Sequence, residues 1–141
     1  MQHTTVTYEH GDETIDAISV ADAIGADRDA VFKTLVATGD RSGVVVFVVP
    51  GTAELDLKKA ARASGNKSVD MLRSRDLLSV TGYIRGGCSP VGMKKQFPTY
   101  LDETAQVFAR IHVSAGMRGM QMLLAPADLL EIVHGSYADL I

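Results

Sequence analysis

Apolar residues recur along the chain at two spacings, which predict a mixture of strands and helices. The alternating run Ala30–Thr38 predicts a strand that places Lys33 on the face opposite to Phe32 and Thr34. The segment GDRSG is typical of a turn, and the run Val44–Val49 that follows it is apolar at every position. Such a run is typical of a strand that is buried on both faces at the centre of a sheet.

Helical spacing of apolar residues predicts the other elements. One helix is predicted from Thr14 to Ile24, and a second begins after the N-cap Asp56 and ends at Gly65. A short helix over SRDLLSV and a last one over PADLLEIVHG follow. Further strands are predicted at Thr4–His10, Lys67–Leu72, Arg110–Val113 and Met120–Leu124. This order predicts one mixed α/β (α+β) domain over residues 1–141, with a mixed sheet curled into a barrel-like core and flanking helices.

Composition places the chain among globular proteins. Its 141 residues are 46% hydrophobic and 22% charged, which are ordinary values for one packed domain. No apolar run approaches the roughly 20 residues of a membrane helix, and the first residues lack the pattern of a secretory signal. We therefore expect a cytoplasmic protein with no membrane partner. A single cysteine excludes an internal disulfide.

Charge is distributed unevenly along the chain. The net charge is −3, but the segment Lys58–Lys95 holds nine basic and two acidic residues. A basic segment gains affinity for nucleic acid by releasing counterions, although solvated helix faces give the same pattern. The candidate residues for binding a nucleic acid are Lys58, Lys59, Arg62, Arg85, Lys94 and Lys95.

The stretch GYIRGGCSPVGMKK, which we call the glycine loop (Gly82–Lys95), contains the one cysteine, Cys88. A catalytic cysteine needs a base or a cation near its thiol. Arg85 and Lys94 are close in sequence, but none of the four histidines forms a local motif with Cys88. A cysteine beside two glycines is also typical of a packing residue, so both interpretations stay open. Histidines and carboxylates do not occur at ligand spacing, so we expect no metal and no cofactor.

Glycines are concentrated in two loops. Four of them fall within eleven residues of the glycine loop, and Gly116 and Gly119 bracket a second loop. Glycine allows the backbone to approach a ligand closely, and exposed N–H groups bind phosphates or an oxyanion. Lys33 is the third candidate, because a lysine on the apolar face of a strand is costly unless it is paired or used. An edge strand would accommodate the same lysine without any function.

Three segments carry a resemblance to a known family: VFKTLV (Val31–Val36), TGYIRGGCSPVGMKK (Thr81–Lys95) and VSAGMRGMQ (Val113–Gln121). Together they resemble the YbaK/EbsC-type Cys-tRNA(Pro) deacylases of the prolyl-tRNA-synthetase editing-domain superfamily. LDLKKAA and ADLLEIV match in register with these segments. The likeness extends from Tyr8 to the C-terminus.

The resemblance implies a trans-editing hydrolase that acts on tRNA(Pro) mischarged with cysteine, beside prolyl-tRNA synthetase. It identifies Lys33 as the essential lysine and Gly86 as the first glycine of the loop that holds the scissile ester, so we assign both as catalytic. It also implies a barrel of mixed strands with flanking helices. The substrate-binding residues assigned within these segments and the TYEH strand are Tyr8, Thr34, Gly87, Ser89, Ser114, Gly116 and Gln121.

The family's nucleophile is the thiol of the substrate's own cysteinyl group, which attacks its ester carbonyl. An attached nucleophile gains a large effective molarity. Backbone N–H groups near Gly86 and Gly87 would then stabilise the developing oxyanion. Esters without a thiol would not react even when bound.

Three other functions remain open from the sequence. One is a deacylase for Ala-tRNA(Pro) or another small aminoacyl-tRNA. A second is a non-catalytic module that binds tRNA or a synthetase. A third is a hydrolase that uses Cys88 as its own nucleophile.

Overall fold

The computed structural model describes residues 3–7 and 28–141. Eight strands are described: β1 (His3–Thr7), β2 (Phe32–Gly39), β3 (Gly43–Pro50), β4 (Val69–Met71), β5 (Thr99–Asp102), β6 (Ile111–Ser114), β7 (Met120–Leu124) and β8 (Ser136–Ala138). Three α-helices accompany them: α1 (Leu57–Ser64), α2 (Ser74–Thr81) and α3 (Pro126–Val133). The predicted helix from Thr14 to Ile24 and the end of the first predicted strand lie outside the described residues.

The described strands form two sheets. The larger sheet has the order β4-β2-β3-β5-β8, and the smaller one has the order β1-β7-β6. β2, β3 and β4 pair antiparallel, whereas β3, β5 and β8 pair parallel, so the larger sheet is mixed as predicted. β3 lies at its centre, which confirms the interpretation of the apolar run Val44–Val49.

The predicted barrel-like core is not supported by these sheets. The larger sheet ends in β4 and β8, which have three residues each, and no described pairing joins these two edges. Edge strands this short offer few backbone groups for closure. The domain is a mixed α/β structure of two sheets with helices, not a closed barrel.

One parallel bridge connects the two sheets. Val31, which directly precedes β2, pairs with His112 of β6. The strands β2 and β6 therefore run side by side in the same direction, and their relative register is fixed at this point. This connection positions the candidate site described below.

Apolar side chains pack on both faces of the larger sheet. One face carries Phe32, Val36, Val46 and Val48, which pack with residues of the smaller sheet and of α3. The other face carries Ala37, Val45, Phe47 and Val49, against which α1 packs through Ala60 and Ala61. Alternation along β2 and β3 separates the two cores, as expected for a sheet that is covered on both faces.

Local signals set the helix ends. The Asp56 carboxylate accepts hydrogen bonds from the N–H groups of Lys58 and Lys59 at 2.9 and 3.1 Å, and Gly65 ends α1 with a φ of +74°. Both predictions for this helix are confirmed. Gly82 ends α2 in the same conformation. None of the described helices is long and apolar enough to cross a membrane.

Candidate functional site

The bridge between the sheets aligns polar residues from three strands on one face. Two residues further along both strands, Lys33 and Ser114 lie on the same face as the Val31–His112 pair, and a continued register would place them side by side. Ser114 lies directly opposite Gln121 in the antiparallel pair of β6 and β7. Lys33, Ser114 and Gln121 thus form a row across β2, β6 and β7, and His112 shares their face because it is two residues from Ser114. We call these four residues the polar wall.

Burial varies along the polar wall. Gln121 is only 5% exposed, and Lys33, His112 and Ser114 are half-buried. The Ser114 hydroxyl accepts a hydrogen bond from the N–H of Gly116 at 3.3 Å. Burial lowers the pKa of His112 below its usual value, so this imidazole is neutral near pH 7. The wall thus combines one cationic group with three neutral polar groups.

The glycine loop begins with a tight turn at Ile84–Gly87. The N–H of Gly87 donates to the carbonyl of Ile84 at 3.0 Å, and Gly86 has a φ of +84°. A type II turn requires such a positive φ at its third residue, which explains the glycine at this position. The N–H of Gly87 is therefore used inside the turn and is not free to bind an oxyanion. This differs from the expectation that N–H groups near both Gly86 and Gly87 stabilise the oxyanion.

The N–H of Gly86 has a different environment. No described residue accepts a hydrogen bond from it. The carbonyl of the same peptide unit, that of Arg85, accepts from Nε of Arg118 at 3.0 Å. Because a trans peptide points its N–H and C=O in opposite directions, the Gly86 N–H points away from Arg118. It is a backbone donor that a substrate oxygen could use.

The glycine loop packs against the segment Ala115–Gly119, which joins β6 and β7 and which we call the hairpin tip. A Cβ atom on Gly87 would lie 3.1 Å from the backbone of Met117 and of Arg118. A side chain here would require the backbone of the hairpin tip to move by a few tenths of an ångström, so glycine favours this close approach. The contact brings the Gly86 turn to the end of the hairpin where Ser114 and Gln121 lie, so both glycine-rich loops belong to one site.

Tyr83 ties the two loops together. Its hydroxyl donates to the carbonyl of Val91 at 2.6 Å. Its ring lies over Gly116, where a Cβ atom would be 2.9 Å from a ring carbon. Gly116 has a φ of +105°, so both its conformation and this contact require glycine. Tyr83 was not among the predicted site residues, although its place in the glycine loop was a usable signal.

Cys88 is enclosed by the core and not presented at the loop surface. It is 7% exposed and packs with the apolar residues between the sheets. Burial raises its pKa to about 11, although a hydrogen bond with Thr81 partly opposes this. A thiol in such a place is protonated at neutral pH, which favours the packing interpretation over the nucleophilic one.

The remaining predicted pocket residues are spread over several places. Thr34 points to the opposite face of β2 from Lys33, together with Phe32 and Val36. Ser89 is buried, and its hydroxyl accepts from the N–H of Val91 at 3.2 Å within the loop. Tyr8 lies outside the described residues. The assignments of these residues stay predictions.

A small cavity lies beside the glycine loop but away from the polar wall. It has a volume of about 150 Å³ and lies between the end of the glycine loop with the two residues that follow it, Gln96 and Phe97, and the end of α3 at Ile132 and Val133. Gln96 spans its edge by donating to the carbonyl of Val133 at 2.8 Å. No residue of the polar wall lines it, so we do not assign it to the site.

The predicted tRNA-binding residues lie on the surface with different partners. Lys58 and Arg62 are exposed one turn apart on α1, and neither forms an ion pair with a described residue. Lys59 instead binds the Asp139 carboxylate at 3.1 Å and the carbonyl of Ile141 at 2.5 Å. Lys94 donates to the carbonyl of Ser79 at 3.3 Å. Arg85 and Lys95 are exposed on the glycine loop.

The chain belongs to the aminoacyl-tRNA editing domain family, whose model matches residues 12–132. The match covers most of the sequence, including the wall, the glycine loop and the hairpin tip.

Within this family, the chain is 56% identical over 129 residues to an Enterococcus faecalis protein named "Putative Cys-tRNA(Pro)/Cys-tRNA(Cys) deacylase EbsC", covering 92% of this chain and 79% of that one. It is 32% identical over 129 residues to a proline–tRNA ligase of Shouchella clausii, of which it covers 22%. A crystal structure described as "a putative trans-editing enzyme for prolyl tRNA synthetase" superposes with a TM-score of 0.86 at 30% identity, covering 98% of this chain and 85% of that one.

The burial of Cys88 predicts a thiol that reacts slowly in the folded protein. With a pKa of about 11, about one thiol in a thousand is ionised at pH 8, and the reagent must also reach a buried atom. We expect a disulfide reagent to label native Cys88 at least about a hundredfold more slowly than the same chain in denaturant. Labelling at equal rates in both states would contradict the buried placement.

Proposed function

We propose that this protein is an aminoacyl-tRNA deacylase that hydrolyses tRNA(Pro) mischarged with cysteine. The observation that carries the proposal is the Gly86 N–H, a backbone donor with no acceptor among the described residues, in a turn that packs against the hairpin tip between β6 and β7. Hydrolysis of an ester develops negative charge on the carbonyl oxygen, and a fixed backbone donor stabilises that charge. The family and the names of its relatives support this ester over others.

The nucleophile in this proposal is the thiol of the substrate. The one cysteine of the chain is buried in the core and protonated at neutral pH, so it is a poor nucleophile. The substrate sulfur attacks the ester carbon, the bond to the ribose oxygen breaks, and the thiol proton ends on that oxygen. The tRNA leaves, and water then opens the cyclic thioester to give free cysteine. The protein orients the thiol and binds the oxyanion.

Lys33 provides the positive charge of the site. It lies on the polar wall and makes no hydrogen bond or ion pair with a described residue. An ammonium at this place would bind the terminal phosphate of the tRNA or the carbonyl oxygen of the ester. Either contact favours an anionic group over a neutral one.

The surface around the site suits a nucleic acid. Helix α1, which carries Lys58 and Arg62, packs on the same face of the larger sheet as Lys33. Arg85 belongs to the turn that presents the Gly86 N–H. We propose that the tRNA reaches the polar wall past these basic residues, that prolyl-tRNA synthetase is a partner, and that the protein works in the cytoplasm. The likeness to part of a proline–tRNA ligase supports the choice of synthetase.

The function is tested by a deacylation panel. Purified protein is incubated with Cys-tRNA(Pro), Ala-tRNA(Pro) and Ser-tRNA(Pro), with and without prolyl-tRNA synthetase, and ester loss is measured. We expect Cys-tRNA(Pro) to be hydrolysed at least about a hundredfold faster than the others, because they lack a thiol and binding differences between small side chains are modest. Preference for the alanyl ester would identify an alanine deacylase. No turnover with retained binding would identify a binding module.

The role of Lys33 is tested by substitution. Lys33→Ala should lower kcat/KM for Cys-tRNA(Pro) by about 10²–10³, since removing one electrostatic donor to a transition state costs about that much. Lys33→Arg keeps the charge and should retain more activity than Lys33→Met, which keeps only the length of the side chain. Equal activities of the Arg and Met variants would show that charge at this position is not required.

The basic face of α1 gives a separate expectation. Lys58→Glu with Arg62→Glu should raise KM and reduce the slope of log KM against log salt by about one for every phosphate that the variant no longer neutralises. The matched control is Arg41→Glu with Arg110→Glu, which changes the charge equally at exposed positions outside the basic segment. If both pairs change KM alike, only the net charge matters and α1 does not bind the tRNA specifically.

A further inference from the structure

Three buried polar atoms have no hydrogen-bond partner within the part of the chain that the structure describes. They are Oγ1 of Thr34, Nδ1 of His112 and Oε1 of Gln121. Native proteins leave few buried polar groups unsatisfied, because such a group loses its water without gaining a replacement. An exception is often explained by a ligand or an ordered water.

Two of these three atoms belong to the polar wall. Gln121 and His112 lie on neighbouring strands, on the face that they share with Ser114 and Lys33. Thr34 points to the other face of β2, so its hydroxyl belongs to a different environment. The coincidence of two unpaired buried groups on one wall indicates a place that is completed by a bound molecule.

We propose that Gln121 and His112 form the subsite that binds the α-amino group of the aminoacyl substrate. This inference rests on the proposed function and extends it from the ester to the rest of the aminoacyl group. The subsite takes a small group with several N–H donors. It uses two neutral acceptors in place of a carboxylate.

The chemistry of the two side chains agrees with this ligand. The carbonyl end of the Gln121 amide accepts hydrogen bonds. The neutral His112 ring presents a lone pair on Nδ1 when its proton is on Nε2. An amine supplies donors to both atoms at once. Every aminoacyl ester carries this group, so the subsite would contribute binding common to all substrates and leave selection to the thiol.

The position of Lys33 predicts how the substrate is oriented along the polar wall. Neighbouring strands are spaced by about 4.8 Å, so the row from Lys33 through Ser114 to Gln121 spans about 10 Å. The cation at one end favours the anionic part of the substrate. Gln121 at the other end, together with His112 on the middle strand two residues before Ser114, favours its amine. The ester then lies between them, near Ser114 and the Gly86 turn.

The test compares two non-hydrolysable probes by calorimetry. One is adenosine carrying cysteine through a 3′-amide, and the other is the same compound with 3-mercaptopropionate, which lacks the α-amine. We expect the wild-type protein to bind the first about tenfold more tightly, or about 1.4 kcal/mol. Gln121→Met and His112→Phe should each remove most of this preference and leave the affinity for the amine-free probe nearly unchanged.

Two controls separate recognition from structure. Met122→Leu changes a residue of the same strand on the core-facing side and should keep the full preference. Thermal unfolding should show that Gln121→Met and His112→Phe are no less stable than the wild type, because each removes an unsatisfied group. Equal binding of both probes by the wild-type protein would overturn the proposal, as would variants that keep the preference.

The binding measurement is independent of turnover. If the deacylation panel shows no hydrolysis but the preference for the amine-bearing probe is present and is lost in both variants, the proposed reaction fails while the subsite stands. If hydrolysis of Cys-tRNA(Pro) is found but the probes bind equally, the reaction stands and the subsite is rejected.

Discussion

The single parallel bridge between Val31 and His112 is the constraint on which the candidate site depends. It connects two sheets that otherwise have no described backbone pairing with each other. Lys33 itself is held on its face by the pairing of β2 with β3, in which it lies opposite Val49. Side chains alternate along a strand, so a shift of one residue in the bridge would turn His112 and Ser114 away from the face of Lys33. The grouping of the cation with the polar residues of the smaller sheet thus depends on one backbone pairing.

Glycines fix the second part of the site for a different reason. The turn at Gly86 and the hairpin tip approach each other through backbone atoms, and a side chain at Gly87 would fit only if that backbone moved. Tyr83 then fills the remaining space above Gly116. A contact made largely of backbone cannot rearrange by changing rotamers, so the Gly86 N–H is held in place before any substrate binds. Such preorganisation is the condition under which a single donor contributes strongly to catalysis.

Sequence patterns identified the parts of the fold that depend on local signals. The β2–β3 hairpin and α1 were predicted because alternation, a turn sequence and a capping aspartate all lie within a few residues. The short strands β5 and β8 were missed, since four and three residues carry little periodicity and each strand is defined by a parallel partner far along the chain. The barrel was wrongly expected for the same reason: closure is a property of edge pairings, which no local pattern contains.

The candidate site, like the fold, was predictable from the sequence only where local signals mark its residues. Lys33, Gly86, Ser114 and Gln121 could be selected because they lie in distinctive segments of the sequence. The N–H of Gly87 donates a hydrogen bond to the carbonyl of Ile84 because of the geometry of one turn. Neither the composition nor the spacing of residues reveals this bond. His112 was missed because a histidine in an ordinary alternating strand carries no signal. Its significance comes from a buried nitrogen without a partner among the described residues.

A substrate that brings its own nucleophile explains why the polar wall needs no nucleophile, base and orienting group of its own. A protein nucleophile such as serine or cysteine needs a base, and the base needs an orienting partner, so three groups must be held in line. In the proposed reaction, the reacting sulfur and carbon are joined within one small molecule, and the protein needs only to hold that molecule. The proposed cation at Lys33, backbone donor at Gly86 and neutral acceptors at His112 and Gln121 would suffice for this task. The unsatisfied groups at His112 and Gln121 are then a modest cost in the stability of the free protein, which a bound substrate would offset by supplying the missing donors.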